Sequence, residues 1–242
     1  ICEDDYWMGS FPLRLDSDKL DTLDRAFAHG YDIVRDESYA AGVAELQRRC
    51  AGNTFHPQYV RDDGSRIYRP LTFKETIEAR VIEYESNDDD EERRLRLFRI
   101  PLDTCTAVAY KKGTTKFKIV PISKELITIP KDFNLGYIAV NYDAINGVEL
   151  DSRNMPLGPN RVENHPGWLA ALEDDCYLLK TYRDIVSHEL NEGLIMGFWV
   201  QAGTPEDQLR ALFVDDLNLN SNANGYNKLN GNGSFLRVAP SS

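Results

Sequence analysis

Few residues in this chain stand in a spacing that chemistry could use. His188-Glu189, with Glu192 following, would fall on one face of a helix, a spacing that can hold a divalent metal. The zinc-protease pattern needs a second histidine where Glu192 stands, so a polar helix face is the simpler reading. Asp216-Leu217-Asn218-Leu219-Asn220 alternates oxygen-bearing side chains as a calcium loop does. It lacks the loop's glycine at the sixth position, and Asn227 replaces its bidentate glutamate, so an Asn-rich turn is expected and no metal site is assigned. There is no Gly-x-Ser-x-Gly, no P-loop and no Gly-x-Gly-x-x-Gly. With 39 acidic residues, no single carboxylate pair stands out for glycoside chemistry. Tyr6 with Trp7, and Phe198 with Trp199, could line a binding site, although core packing is the commoner fate of such pairs.

The elements that would position these residues read as follows. Lys19 to Ala28 carries Leu20, Leu23 and Phe27 on one helical face, with Ser17 as a cap and Gly30 after the end. Tyr39 to Cys50 reads as a second helix. Thr72-Phe73-Lys74-Glu75 is a capping box, opening a helix with Ile77, Val81 and Ile82 inward. The charge run Asn87 to Arg96 reads as a solvated loop or helix end. The period then changes. Thr106 to Tyr110, Lys116 to Ile122, Leu126 to Ile129 and Tyr137 to Tyr142 read as strands, with a hairpin turn at Lys111-Lys112-Gly113. Pro166 to Glu189 reads as one or two helices, and Leu194 to Gln201 fits either a buried strand or a helix. Thr204-Pro205-Glu206-Asp207 has the form of a helix start. The predicted class is α+β, with N-terminal helices, a central and mainly antiparallel sheet, and C-terminal helices. Residues 1–215 are expected to form one domain and 216–242 an Asn/Gly-rich tail.

Composition bounds the partners. A net charge of −11 and a pI near 4.9 disfavour phosphate backbones and anionic lipid surfaces, so neither nucleic acid nor membrane insertion is expected. No apolar run approaches the roughly 20 residues of a membrane helix. The opening Ile1-Cys2-Glu3-Asp4-Asp5 suggests signal removal or trimming. The four cysteines, Cys2, Cys50, Cys105 and Cys176, contain no Cys-x-x-Cys and fit two disulfides in any of three pairings. With the sequon Asn232-Gly233-Ser234, this points to a secreted or otherwise extracytoplasmic protein.

One family resemblance is carried by the first seventy residues. Arg14-Leu15-Asp16-Ser17, followed by DKLDTLDRAFAHG and later by Tyr59-Val60-Arg61-Asp62-Asp63-Gly64, resembles the opening of the cholera and pertussis class of ADP-ribosylating toxins. The resemblance implies NAD as cofactor, Arg14 as a bidentate clamp on its pyrophosphate, Asp16 as a further cofactor-binding residue, Thr72 bracing the pocket, and a catalytic glutamate. Where that family has Ser-Thr-Ser, this chain reads Arg69-Pro70-Leu71-Thr72, so only Thr72 matches. The family's Glu-x-Glu is absent from the loop after Tyr137 to Tyr142, and Glu163 is the candidate there.

Two functions follow. One is a secreted, non-catalytic binding or effector protein with a protein partner. The alternative is an ADP-ribosyltransferase-like toxin, active or degenerate, transferring ADP-ribose from NAD to a protein.

Overall fold

A computed structural model describes residues 31–36, 38–51, 57–86, 90–154, 159–190, 196–231 and 233–238. Arg14, Asp16, Cys2, Trp7 and the expected helix at Lys19 to Ala28 lie outside these residues.

The first strand, β1 (Tyr31–Asp36), leads into α1 (Tyr39–Cys50). Ser38 caps that helix by accepting from the Ala41 amide at 3.1 Å, and Val43, Leu46 and Cys50 point inward. A short antiparallel hairpin follows, of β2 (Gln58–Val60) and β3 (Arg66–Tyr68). The capping box forms as the sequence requires and opens α2 (Phe73–Ser86). Thr72 Oγ1 accepts from the Glu75 amide, and Glu75 Oε2 accepts from the Thr72 amide. The acidic run ends at Asp90, which caps the one-turn α3 (Glu91–Leu95).

The main sheet is built on β4 (Leu102–Tyr110), buried along its whole length. It pairs antiparallel with β5 (Lys116–Val120) through the expected turn, where Gly113 takes φ +64°. The other strands are β6 (Ile138–Ala139), β7 (Val148–Asp151), β8 (Phe198–Trp199), β9 (Gln208–Val214) and β10 (Ala223–Asn224). Their order is β7-β5-β4-β9-β10-β8, with β6 also on β9, and only the β10–β8 pair is parallel. A separate pair joins β1 to β11 (Gly233–Val238), Tyr31 facing Val238. Between them lie the turn α4 (Lys124–Ile127), then α5 (Pro166–Ala171) and α6 (Cys176–Leu190).

The sheet separates two apolar clusters. One holds Val108, Tyr110, Phe117, Leu212 and Val214 against Trp168, Tyr182 and Phe198. The other packs Ala107, Leu209, Ala211 and Val120 beneath α1 and Phe235. Between Asp103 and Ala107, β4 spends two more residues than β9. Threonines satisfy this bulge: Thr104 Oγ1 donates to the Leu212 carbonyl, and Thr106 Oγ1 donates to Pro121 while accepting from the Phe73 amide.

The α+β class holds, but among the described residues those from 196 onward are strands and turns, and Thr204-Pro205-Glu206-Asp207 opens β9 rather than a helix. Asp207 spends its carboxylate on the amides of Lys112 and Tyr142, so it caps the β4–β5 turn and not its own segment. Leu126 to Ile129, expected as a strand, begins as a helical turn because Ser123 caps it. The described part of the expected tail is packed in: Ala223, Leu229, Phe235 and Leu236 are buried.

The cysteines also differ from expectation. Cys50 and Cys105 are buried thiols rather than disulfide halves, so two bonds cannot form from the four sulfurs. The inference of export loses the support that a two-disulfide framework would have given.

Candidate functional site: the Asn-rich display face

The segment from Asp215 to Tyr226 is shaped from below by one buried cation. Arg80, on α2, is fully buried. Its Nη1 donates to Tyr182 Oη at 2.6 Å, to the Asp215 carbonyl at 3.0 Å and to Ser221 Oγ at 2.9 Å, while Nη2 donates to the Ile100 carbonyl at 2.8 Å. A planar, permanently charged fork is suited to joining four separate pieces of chain in this way. Its face lies over Phe98, 5.3 Å from the ring centroid.

Above this anchor the chain makes a tight loop. Asp216 caps the turn Leu217–Leu219, and Asn220 and Ser221 then take φ of +57° and +51°. Asparagine enters that left-handed region more readily than most residues. The turn closes when the Ser221 amide donates to the Asp216 carbonyl.

From Ser221 onward the side chains alternate. Ser221, Ala223 and Gly225 face the interior; Asn222, Asn224 and Tyr226 face outward. The inward residues are small because there is no room. A Cβ on Gly225 would lie 2.8 Å from Tyr110 Oη and 2.9 Å from Val108. The outward carboxamides are held rather than loose. Asn222 Oδ1 accepts from the Gly197 amide at 2.6 Å, and Asn224 Oδ1 accepts from the Tyr226 amide at 2.9 Å. The side chains of both Asn222 and Asn224 also hydrogen-bond the Asp215 carboxyl. Burial pushes that carboxyl up to about 6, and the two asparagines and Arg80 pull against the rise.

Beside this strip stands Trp199, register partner of Asn224 and half-exposed at 50%. Its indole crosses Gly197: a Cβ there would lie 2.8 Å from Trp199 Nε1 and 3.0 Å from Asn222 Oδ1. Its neighbour Phe198 points inward onto Gly167 and stacks on His165, 5.5 Å between ring centres. His165 is itself fixed, its Nδ1 accepting from the amides of Gly167 and Trp168, and burial pushes it down to about 4. Met196, with φ +57°, donates its amide to the Asn220 carbonyl and takes the Trp168 indole N–H on its own carbonyl. Trp199 therefore projects from a braced strand, not from a loose loop. With Leu219 at 57% and Tyr226 at 46% exposed, the result is an uncharged surface of asparagine, aromatic and leucine side chains on a chain of net charge −11.

The residues singled out from sequence fall elsewhere. Thr72 is buried in its capping box, where Glu75 also receives the Arg69 guanidinium through two 2.8 Å bonds. Glu163 sits in a 3-10 turn and pairs with Arg183. No hydrogen bond or ion pair joins Thr72 to Glu163 among the described residues. His188 is exposed, and Glu189 is held by Tyr84 and Arg94. Among the described residues no group of three or more His, Cys, Asp or Glu is placed to hold a metal ion. No described helix is long and apolar enough to cross a membrane. The sequence reading named Trp199 as a possible binding residue but missed its neighbours. Their signal was the two-residue alternation of Ser221, Ala223 and Gly225 with Asn222, Asn224 and Tyr226, hidden inside an apparent low-complexity turn.

No family model matches the chain, and no curated protein matches it. Among solved structures, it superposes on one described as "Accommodation of massive sequence variation in Nanoarchaeota by the C-type lectin fold". The TM-score is 0.60 at 14% identity, over 88% of this chain and 100% of that one. At that identity the likeness defines the architecture: this chain has a C-type lectin fold.

Proposed function

We propose that this chain is a non-catalytic binding protein that meets a protein partner through Trp199, Leu219, Asn222, Asn224 and Tyr226. The observation that carries the reading is the separation of roles along 221–226: inward residues are pinned by Arg80, Tyr110 and Val108, while outward residues are presented on a fixed backbone. Exposed Trp and Tyr supply large contact area for little lost side-chain freedom, and the asparagines add polar carboxamides held in place, residue types that recognition loops use. The neighbouring structure is described as accommodating massive sequence variation on this fold. By analogy, the outward positions here should accept substitution without loss of the fold. Action outside the cytoplasm belongs to the same proposal and rests on the sequon.

The test is capture from candidate extracts by immobilised wild type, W199A and Y226A, with folding of each variant confirmed by circular dichroism. The expected result is a species retained by wild type and lost from both variants. Equal retention by all three would place the contact elsewhere.

A further inference from the structure

Five buried side-chain nitrogen or oxygen atoms without a hydrogen-bond partner among the described residues lie near one another. They are Gln201 Oε1, Thr204 Oγ1, both polar atoms of Gln208 and Arg210 Nε. Gln208 pairs with Tyr110 across β4 and β9, so the two side chains rise from the same face of the sheet. Arg210 follows two residues along that face, with Nη1 donating to the Tyr226 carbonyl at 2.7 Å. The Gln201 amide donates to Tyr110 Oη at 3.4 Å, and the Thr204 carbonyl accepts from Gly113, in the turn just past Tyr110. Gln208 and Thr204 are each 1% exposed. Gln201 is half-buried and lies two residues from Trp199 in sequence.

Buried polar groups are rarely left unmatched, and a glutamine with both ends unused stands out among the described residues. The unmet demands are specific. Gln201 Oε1 and Gln208 Oε1 need donors, Gln208 Nε2 and Arg210 Nε need acceptors, and the Thr204 hydroxyl can serve either way. All the groups but Arg210 are neutral, and the two glutamine oxygens need N–H donors that a carboxylate does not have. A primary carboxamide has two N–H donors and one carbonyl acceptor on a flat frame, and it meets this set.

We propose that Gln201, Thr204, Gln208 and Arg210 form a subsite behind Tyr226 that receives a primary carboxamide, the side chain of an asparagine or glutamine on the protein partner. This rests on the binding reading above and adds the chemistry of one contact.

The test uses the full, 15N-labelled chain and follows the side-chain amide signals of Gln201 and Gln208 during titration with propionamide, and separately with glycerol. The expected result is a saturable shift with propionamide, weakened at least tenfold in Q208L and in T204V, and no saturable shift with glycerol. Absence of a saturable propionamide shift in wild type, an equal response to glycerol, or long-lived water signals at both amides that propionamide does not displace would overturn the subsite. W199A separates the two readings. If it abolishes partner capture while the propionamide shift is absent in wild type, the display face stands and the subsite falls. If propionamide binds but W199A and Y226A capture normally, the subsite binds amides and the partner assignment falls.

Discussion

Arg80 and Ser221 lie 141 positions apart in sequence and meet at 2.9 Å, and that contact decides where the display face sits. Removing the guanidinium leaves Tyr182, Ser221 and the Asp215 and Ile100 carbonyls without their donor. Each such loss costs about 1–3 kcal/mol. R80M is therefore expected to destabilise the fold by about 3 kcal/mol or more and to expose 215–225 to protease. Urea unfolding with limited proteolysis checks this; an unchanged cleavage pattern would mean the loop holds itself.

The buried and exposed positions of the 218–226 segment should respond oppositely to substitution. G225A forces a Cβ against Tyr110 and Val108 and is expected to cost about 1–3 kcal/mol. N218S and L219S lie on the exposed side and should stay within about 0.5 kcal/mol of wild type. Thermal melts of the three variants, compared at one pH, decide the point. Equal losses would show that the outward positions are structural.

Asp103 makes a pH-dependent stability prediction. It is buried on β4, accepts from the Ser234 amide at 3.0 Å, and burial pushes its carboxyl up to about 7 from the usual 3.8. Because the folded value is raised, the favourable contribution is complete below about pH 4 and is lost as pH climbs through 7. D103N keeps an acceptor for Ser234 without the charge. It is expected to be more stable than wild type at pH 8, by up to about 4 kcal/mol, with the difference vanishing near pH 4. Denaturation at both pH values measures it. A constant difference would assign the effect to packing.

Asp215 should show a local version of the same chemistry. Its carboxyl sits at about 6 and is bonded by the side chains of Asn222 and Asn224. Between pH 7.5 and 5 the side-chain amide signals of those two asparagines are expected to move together with a midpoint near 6. D215N should remove the transition. Independent midpoints for the two asparagines would sink the coupling.

The thiols give the most direct check on the core. Burial pushes Cys105 up to about 12, and Cys50 closes the inner face of α1. Both should resist alkylation in the native state and react fully in guanidinium. Non-reducing peptide mapping of the same material will show whether Cys2 and Cys176 are joined. Rapid native labelling of either buried thiol would contradict the fold around Thr104.

Local signals were legible where one short segment contains its own answer. The Thr72–Glu75 box, the Ser38-led helix and the Gly113 turn are satisfied by neighbours within a few residues, and all three form. Longer-range commitments were not legible. Asp207 has the form of a helix-starting acid, but its partners, Lys112 and Tyr142, are brought to it only by the β4–β9 pairing. The role of Ser221 depends on an arginine 141 positions away. The Asn-rich stretch looked like a tail because its small residues were read as turn formers, whereas they are small because Tyr110, Val108 and Arg80 fill the space beneath them.

The pairing of β1 with β11 has a consequence for biogenesis. A ribosome releases Tyr31–Asp36 long before Gly233–Val238, so β1 waits without this partner until β11 has emerged. The ring of Phe235 that seats on Gly42 and Tyr39 arrives with β11, so α1 gains its lid only then. The β1–β11 pairing is thus a late event of folding, and the interval before it is when the unpaired edge is most exposed to a wrong neighbour.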